Sequence, residues 1–317
     1  MRKDFAAISV FMVVAILLAG YFMRMDNENF IMSSRIRIAT GGESGIYYAL
    51  GDALASLLEK ELKMMVTVIP SGGSIDNINL LRNDRADIAF VQNDIMSYAY
   101  NGTNLFSSEG AFRDFYAVAS LYPEPCQIVA RRDITGITDL KGKRVSIGAE
   151  GSGTELNALQ ILDAYGIGYA DINVDHLGFS ASVNAFREGK IDAFFCTAGV
   201  PTPAVSELVE TGEALILSIG DAHASLIISQ YPYYSRQAIP KGTYPGIEEE
   251  VEAVAVKAAL VASSKLSDNT VFSIMRIIFE NSAEMVKDLP GINLSRSTAT
   301  EGLSIPLHPG AERFLFE

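Results

Sequence analysis

The sequence predicts an α/β fold with two lobes, and three observations lead to this. Strand-like segments, glycine-rich turns and helical segments alternate from residue 35 onward, at the spacing of parallel βαβ units. A helix end, a charged turn and an acidic residue that opens an apolar strand occur in this order at 81–90 and again at 185–196. The chain has 317 residues, 49% of them hydrophobic, which is enough for about two domains with a core each.

The first half contains three predicted strands and three predicted helices. The helical pattern is clearest at residues 46–61, because apolar residues recur at helical spacing from Ala49 to Leu58. The predicted strands lie at 35–40, 66–69 and 86–91, and the predicted helices at 46–61, 75–82 and 94–100.

The second half repeats this alternation after a proline-containing break. Residues 116–122 and 127–130 are strand-like, and proline cannot donate to a continuous ladder between them. The sequence therefore predicts a break in the strand and a hinge at Pro123, Glu124 and Pro125. Further strands are predicted within 139–147 and at 191–196 and 251–262, and helices at 155–165 and within 267–289.

The long apolar segment at 251–262 would carry the chain back to the first lobe. We therefore predict lobe one at residues 30–123 plus 254–317 and lobe two at residues 124–253, with residues 1–29 outside both.

Composition excludes several classes of protein. The chain has 25 Lys and Arg against 38 Asp and Glu, a net charge of −13, and such a charge repels nucleic acid. Two cysteines do not make a disulfide-rich scaffold. The three histidines, His176, His223 and His308, lie far apart in sequence, so neither a metal site nor a cofactor is predicted.

The N-terminal residues 1–29 indicate export. Arg2 and Lys3 precede an uncharged run at 5–23, which is long enough to cross a membrane as a helix. The pattern fits a cleaved signal peptide or a retained membrane anchor, and it does not decide between them. In either case the rest of the chain is expected to be periplasmic (extracytoplasmic).

Such a compartment permits a disulfide between Cys126 and Cys196. The bridge would require Cα atoms roughly 4.4–6.8 Å apart, which the sequence does not show. Both residues lie in apolar, strand-like segments, so two buried free thiols are the alternative.

Three glycine- and serine-rich turns carry the chemistry of the predicted site. They lie at 40–45, 71–74 and 151–154, each between a strand end and a helix start. The first turn of a helix has backbone N–H groups without intrahelical partners, and its positive end favours an anion. Glycine lets a ligand approach the backbone. Turns and caps alone would explain one such segment, but three at corresponding strand ends predict a cradle for a carboxylate.

No enzyme template fits these turns. Gly148 and Gly153 have the spacing of a phosphate-binding P-loop, but Thr154 occupies the lysine position. No histidine is placed in sequence to activate Ser152 as a nucleophile. The protein is therefore not predicted to be an enzyme.

Several candidate residues keep a second interpretation. The Tyr47 ring would either close over a ligand or pack on its own helix, and Asp94 would either pair with a ligand ammonium or cap a helix. Glu124 is interpreted as a hinge or interlobe hydrogen-bonding residue in preference to a ligand contact. The predicted ligand-binding residues are Gly42, Ser44, Tyr47, Ser71, Gly73, Ser74, Gln92, Asp94, Ser152, Gly153, Thr154, Phe179 and Gly199.

Taken together, the motifs resemble those of the TAXI family, the solute receptors of tripartite ATP-independent periplasmic (TRAP) transporters. The resemblance spans nearly the whole chain after residue 34. It implies a type II periplasmic-binding-protein fold, a monomer, and a ligand such as glutamate, glutamine or a 2-oxoglutarate-like acid, delivered to the TRAP membrane permease subunits. The segments that carry it are Thr40–Gly51, Pro70–Asn77, Val91–Asp94, Tyr122–Pro125, Gly151–Thr154, Asp192–Phe195 and Lys241–Gly246.

The expected mechanism is capture by lobe closure, in which the ligand favours the closed form through contacts with both walls. Two alternatives stay open at this stage. The same lobes, held by the N-terminal segment, would serve as a membrane-anchored sensor, or the fold would carry an exported enzyme.

Overall fold

The computed structural model describes residues 35–317, so the predicted signal or anchor at 1–29 lies outside the described residues. The strands are β1 Arg35–Ala39, β2 Met65–Ile69, β3 Ile88–Gln92, β4 Phe115–Arg131, β5 Arg144–Ser146, β6 Asn173–Asp175, β7 Ala193–Thr197, β8 Ala214–Ile216, β9 Ser235–Ile239 and β10 Val251–Ser263. The α-helices are α1 Ile46–Leu62, α2 Ser74–Arg82, α3 Asn93–Asn101, α4 Gly153–Ala164, α5 Phe179–Arg187, α6 Pro203–Val209, α7 Asp221–Gln230, α8 Asp268–Glu280, α9 Ser282–Met285 and α10 Pro309–Phe316. Within this range no helix combines the length and apolar character needed to cross a membrane.

The strands run in the order β2-β1-β3-β10-β4-β7-β5-β6, with β8 beside β4 and β9 beside β10. Strands β1, β2 and β3 are parallel to one another, and so are β5, β6 and β7. The long strands β4 and β10 are antiparallel to their neighbours in both halves. Each half thus has a parallel βαβ sheet. The carboxyl ends of its strands lie at the same edge, and the helices that follow the strands begin there.

Strands β4 and β10 connect the two halves. Strand β4 pairs with β10 as far as Pro125, and from Cys126 onward it pairs with β7. The predicted break at Pro123–Pro125 is therefore wrong, since β4 is one strand of 17 residues. Proline has no N–H to donate to the opposite strand. The ladder tolerates Pro123 because the residue opposite it, Lys257, donates its backbone N–H elsewhere, to Asn93 Oδ1 at 3.1 Å, next to a register shift in β10. The hinge and the lobe limits stay predictions.

The core lies on both faces of each half-sheet. Alternation along β1 places Ile36 and Ile38 in a cluster on one face and Ala39 in a cluster on the other. Helix α1 covers the first of these faces because Leu50, Leu54 and other apolar residues repeat at helical spacing and are buried. The second half has two equivalent clusters. Each half therefore holds its edge turns on a rigid scaffold.

Cys126 and Cys196 are free, buried thiols, so the disulfide considered above is not formed in the structure. The reason is the register of β4 and β7, in which Cys126 pairs with Thr197 while Cys196 pairs with Gln127. Successive residues of a strand point to opposite faces, so the two thiols belong to different core clusters. Burial raises the pKa of Cys126 to about 12, which suits an inert core residue.

Candidate functional site

A cavity of about 110 Å³ lies where the edge turns of the two halves meet. This is far more than the roughly 10–15 Å³ that one water molecule needs, and it suits a small solute. The cavity is lined by Gly41, Gly42, Ser44, Gly45, Ile46, Tyr47, Ser71, Gly72, Gly73, Ser74, Gln92, Glu124, Ala149, Ser152, Gly153, Thr154, Gly178, Phe179, Thr197 and Ala198.

Four helices begin at this cavity. Helices α1, α2, α4 and α5 start at Ile46, Ser74, Gly153 and Phe179, all of which are lining residues. Glycine precedes three of these helices, and no side chain caps their first turns. The uncapped first turns of α1 and α5 therefore leave N–H groups and positive helix ends at the cavity, which is the arrangement that binds anions. At α4 the Ser152 hydroxyl accepts the Glu155 N–H, and at α2 a carbonyl of the other half accepts two of the first-turn N–H groups.

Hydroxyl groups complete the polar wall. Ser71 Oγ lies 2.7 Å from Asn77 Oδ1, and Ser74 Oγ accepts the Gln92 N–H at 3.0 Å. Thr154 Oγ1 lies 3.4 Å from the Thr197 backbone nitrogen. Because Ser74 and Thr154 act as acceptors here, their hydroxyl hydrogens remain available to a ligand. Among the lining residues found within 35–317 there is no Lys, Arg or His, so amides and hydroxyls must supply any stabilisation of an anion.

Tyr47 and Glu124 form a buried pair in the cavity wall. The Tyr47 hydroxyl donates to Glu124 Oε2 at 2.7 Å, and its ring stacks on Phe90 with centroids 5.5 Å apart. Burial raises the pKa of Glu124 to about 8, although the hydrogen bond from Tyr47 acts in the opposite direction. The ring of Tyr47 thus packs on β3 and not on its own helix, and Tyr47 also lines the cavity, so its contact with a ligand stays a prediction.

The two walls touch, so the structure shows a closed arrangement. The Gly151 carbonyl of the second half accepts the N–H groups of Ile75 and Asp76, at 3.1 and 3.2 Å, from the first turn of α2. Gly151 has φ +75°, which favours glycine at this contact. The Gln92 side chain lies directly against Gly153, and its buried Oε1 has no hydrogen-bond partner among the described residues. These contacts join the two walls of the cavity.

The structure brings most of the predicted residues together. Those that line the cavity are Gly42, Ser44, Tyr47, Ser71, Gly73, Ser74, Gln92, Ser152, Gly153, Thr154 and Phe179. Contact with a ligand stays a prediction for each of them.

Asp94 and Gly199 do not line the cavity. Asp94 is buried beside it, where Oδ1 accepts the Ile95 N–H at 2.8 Å and Oδ2 accepts Asn157 Nδ2 of α4 at 3.1 Å. Burial raises the pKa of Asp94 to about 6. One carboxylate oxygen of Asp94 thus accepts an N–H in the first turn of α3, and the other accepts a hydrogen bond from the other half of the molecule. Gly199 packs closely under Ile46 and Tyr122.

The residues that the prediction missed are mostly neighbours of those it named. Gly41, Gly45 and Gly72 belong to the same two turns, whereas Gly178 opens a fourth turn that is followed by α5. A glycine directly before a helical pattern was the available signal for Gly178. Glu124 was predicted to be a hinge or interlobe hydrogen-bonding residue and not a lining residue, because the sequence does not show which way its side chain points.

A bound metal ion needs several ligand side chains held close together. Within the described range no group of three or more His, Cys, Asp or Glu side chains is placed to hold a metal ion.

Comparison with known proteins identifies the family and the fold. A family model described as the NMT1-like family matches residues 38–317. The alkanesulfonate-binding protein SsuA from Xanthomonas axonopodis pv. citri, bound to MOPS, is 18% identical, with a TM-score of 0.51 over 89% of this chain and 83% of that one. PhnD1 from Prochlorococcus marinus (MIT 9301), in complex with methylphosphonate, is 12% identical, with a TM-score of 0.56 over 83% and 93% of the two chains.

A third similar structure is the ligand-binding component of an ABC-type import system from Staphylococcus aureus with zinc bound. It is 14% identical, with a TM-score of 0.50 over 89% of this chain and 90% of that one. At these identities the likeness shows the fold alone. It confirms the predicted α/β fold of the type II periplasmic-binding proteins, with two lobes around a cleft.

The assignment to the TAXI receptors of TRAP transporters is wrong, and the TRAP permease is therefore not supported as a partner. The family model that matches is the NMT1-like one, and the similar structures named above are sulfonate-, phosphonate- and ABC-type binding proteins. The motifs behind the resemblance are glycine and serine turns at strand ends. Any helix N-terminus that faces a ligand in this fold requires such a turn, so the turns do not separate one family from another.

Proposed function

The chain belongs to the NMT1-like family and has a two-lobed binding-protein fold, and from this premise we propose that it is an extracytoplasmic solute-binding protein for a small organic oxyanion. The observation that carries the proposal is the cavity between the lobes, at which four helices begin. Helix N-termini and hydroxyls stabilise an oxyanion without a cationic side chain. The net charge of −13 does not oppose this, because charges beyond about 10 Å are screened at 0.1 M salt.

The ligand class is broader than the carboxylate or amino acid predicted from the sequence. Sulfonates, phosphonates and carboxylates all present negatively charged oxygens to N–H and O–H donors. The ligands named for the similar structures, MOPS and methylphosphonate, are a sulfonate and a phosphonate. The comparisons lend no support to glutamate, glutamine or 2-oxoglutarate, so the shared oxyanion chemistry defines the proposal.

Capture follows from contacts with both walls. Serine and glycine residues of the first half, from Ser71 to Ser74, and residues of the second half, from Ser152 to Thr154, line the same cavity. A ligand that binds both walls favours the closed form by its differential affinity. The bound solute would then be delivered to a membrane import complex. An ABC-type importer is the candidate, since one similar structure is a component of such a system.

A screen of oxyanions tests the proposal. Thermal unfolding is measured with ethanesulfonate, methylphosphonate, propionate and glutamate, and native mass spectrometry looks for a solute that co-purifies. We expect at least one oxyanion to raise the melting temperature, because a ligand of the folded state stabilises it. A flat response to every oxyanion, with no co-purified mass, would contradict the proposal.

Replacement of Thr154 by Leu tests the location of the site. Thr154 is buried in the cavity wall, so a larger apolar side chain removes a hydroxyl and fills ligand space. The loss of one hydrogen bond to a charged group, about 1.5–3 kcal/mol, predicts binding weaker by about tenfold or more. Thr300→Leu, at an exposed position outside the cavity, is the matched control and is expected to bind like the wild type. Equal calorimetric affinities for the two variants would remove Thr154 from the site.

A further inference from the structure

Glu124 is the one acidic side chain among the described residues that line the oxyanion cavity. It is only 3% exposed, and the cavity is the space that this exposed part faces. Its Oε2 accepts the Tyr47 hydroxyl at 2.7 Å. The Tyr122 hydroxyl also interacts with the carboxyl group and lowers its pKa, but it has no partner within hydrogen-bond distance among the described residues. The other oxygen, Oε1, therefore stays open to a ligand in the cavity.

Within residues 35–317, the groups that affect the pKa of Glu124 supply no positive charge. Tyr47 faces it from α1, Asp94 from α3, and Tyr122 and Cys126 from β4 itself, and Cys196 lies nearby on β7. The adjacent strand β10 carries Lys257, whose Nζ is engaged by Glu301 at 2.5 Å. Burial raises the pKa of Glu124 to about 8, and the charge of Asp94 adds to the rise. Around neutral pH the carboxyl group therefore carries its proton.

An ionised Glu124 would conflict with an anionic ligand. Two negative charges about 4 Å apart at an effective dielectric constant near 20 disfavour each other by roughly a thousandfold in an equilibrium constant. A cavity of about 110 Å³ does not let a ligand move far from its wall. A protonated carboxyl group has no such conflict, because it is neutral and donates an O–H.

We propose that Glu124 is a specificity residue that keeps its proton and uses this O–H to donate a hydrogen bond to the bound oxyanion. The protein then captures the anion only while Glu124 is protonated. This inference rests on the proposed function. No bond other than the hydrogen bond forms, and the proton stays on Glu124 Oε1. Capture is consequently coupled to proton occupancy, and the affinity for an anion of fixed charge falls tenfold for each pH unit above the pKa of Glu124.

The test is calorimetry of the full chain between pH 6.5 and 9.5, with ethanesulfonate and propionate, whose charges do not change in this range. The wild type is expected to bind more weakly by about tenfold between pH 8.5 and 9.5. Glu124→Gln keeps a neutral donor of similar shape, so its affinity is expected to stay constant between pH 6.5 and 9.5. Glu210→Gln, at an exposed position, is the control and is expected to keep the wild-type profile.

Tyr47→Phe gives a second measurement, the pH at which affinity falls, which would not change if Glu124 had only a structural role. The hydrogen bond from Tyr47 lowers the pKa of Glu124, so its removal is expected to shift the pH at which affinity falls to a higher value. Binding by the wild type with a flat pH profile would overturn the inference and leave the proposed function in place. Affinity that rises with pH would overturn the inference in the same way, since binding of these anions would then be favoured by loss of the Glu124 proton. Failure of every oxyanion to bind at any pH would instead overturn the proposed function.

Discussion

The two walls of the cavity approach each other closely at Gly72. This residue lies in the turn before α2, and an alanine Cβ there would lie 2.8 Å from the Glu150 carbonyl oxygen of the other half. It would also lie 2.6 Å from Asp76 Oδ2, a side-chain atom that is able to move. Gly72 does not have positive φ, so alanine fits the turn itself. The clash with the Glu150 backbone exists only when the two walls meet.

Gly72→Ala should therefore weaken capture without unfolding the protein. Overpacking of a tight contact costs about 1–3 kcal/mol, which corresponds to roughly 5- to 150-fold weaker binding when it falls on the closed form alone. Isothermal titration calorimetry with the oxyanion that gives the largest thermal shift measures the affinity. Small-angle X-ray scattering measures closure as the decrease in the radius of gyration on ligand addition.

Gly136→Ala is the matched control. Gly136 lies outside the cavity, has no positive φ, and a Cβ at this position meets no atom closer than 3.9 Å. We expect it to close and bind much as the wild type does. If Gly72→Ala closed and bound as tightly as Gly136→Ala, the contact between the two walls would not be part of the mechanism.

Two further predictions concern stability. Leu54→Ala should lower the free energy of unfolding by about 2–5 kcal/mol in a denaturant titration, because Leu54 of α1 is fully buried. Met65, in contrast, is 64% exposed, so Met65→Ala should change the free energy of unfolding by less than about 0.5 kcal/mol, and similar effects of the two substitutions would contradict the described core. The pKa of Glu124 rises from 4.5 in the unfolded chain to about 8 on folding, so its stabilisation is complete below pH 4.5 and is lost as pH rises to 8, by roughly 5 kcal/mol. Glu124→Gln should therefore gain stability relative to the wild type across this pH window, and a constant difference between the two would contradict the burial of an unpaired acid.

The alternation of strands and helices was predictable because it depends on neighbours in sequence. The periodicity from Ala49 to Leu58 predicted α1, which the structure has at Ile46–Leu62. The glycine turns before α1, α2 and α4 were found for the same reason, since a helix start needs a turn and a cap within a few residues. Most of the cavity lining follows from these turns.

The features that depend on pairing across the sheet were not predictable. Whether Cys126 and Cys196 meet is decided by the register of β4 against β7, and a shift of one residue would change the answer. The passage of β4 through Pro123 and Pro125 depends on β10 and on Asn93, which are distant in sequence. The family assignment failed for a different reason, because the turn motifs report the shared fold more than the ligand.

The direction in which the buried acidic side chains point was not predictable from the sequence either. Asp94 and Glu124 both follow or interrupt apolar strands, and nothing local shows that Asp94 turns toward Asn157 while Glu124 turns toward the cavity. Their surroundings come from α4 and α1, which are 30 residues or more away in sequence.

The most direct test of the central claim is a crystal structure of the protein grown with the oxyanion that gives the largest thermal shift. We expect electron density for its charged oxygens at the starts of α1, α2, α4 and α5, within hydrogen-bond distance of backbone amides and of Thr154 or a neighbouring serine. A ligand bound on the outer surface, with only water in the cavity between closed lobes, would contradict the claim.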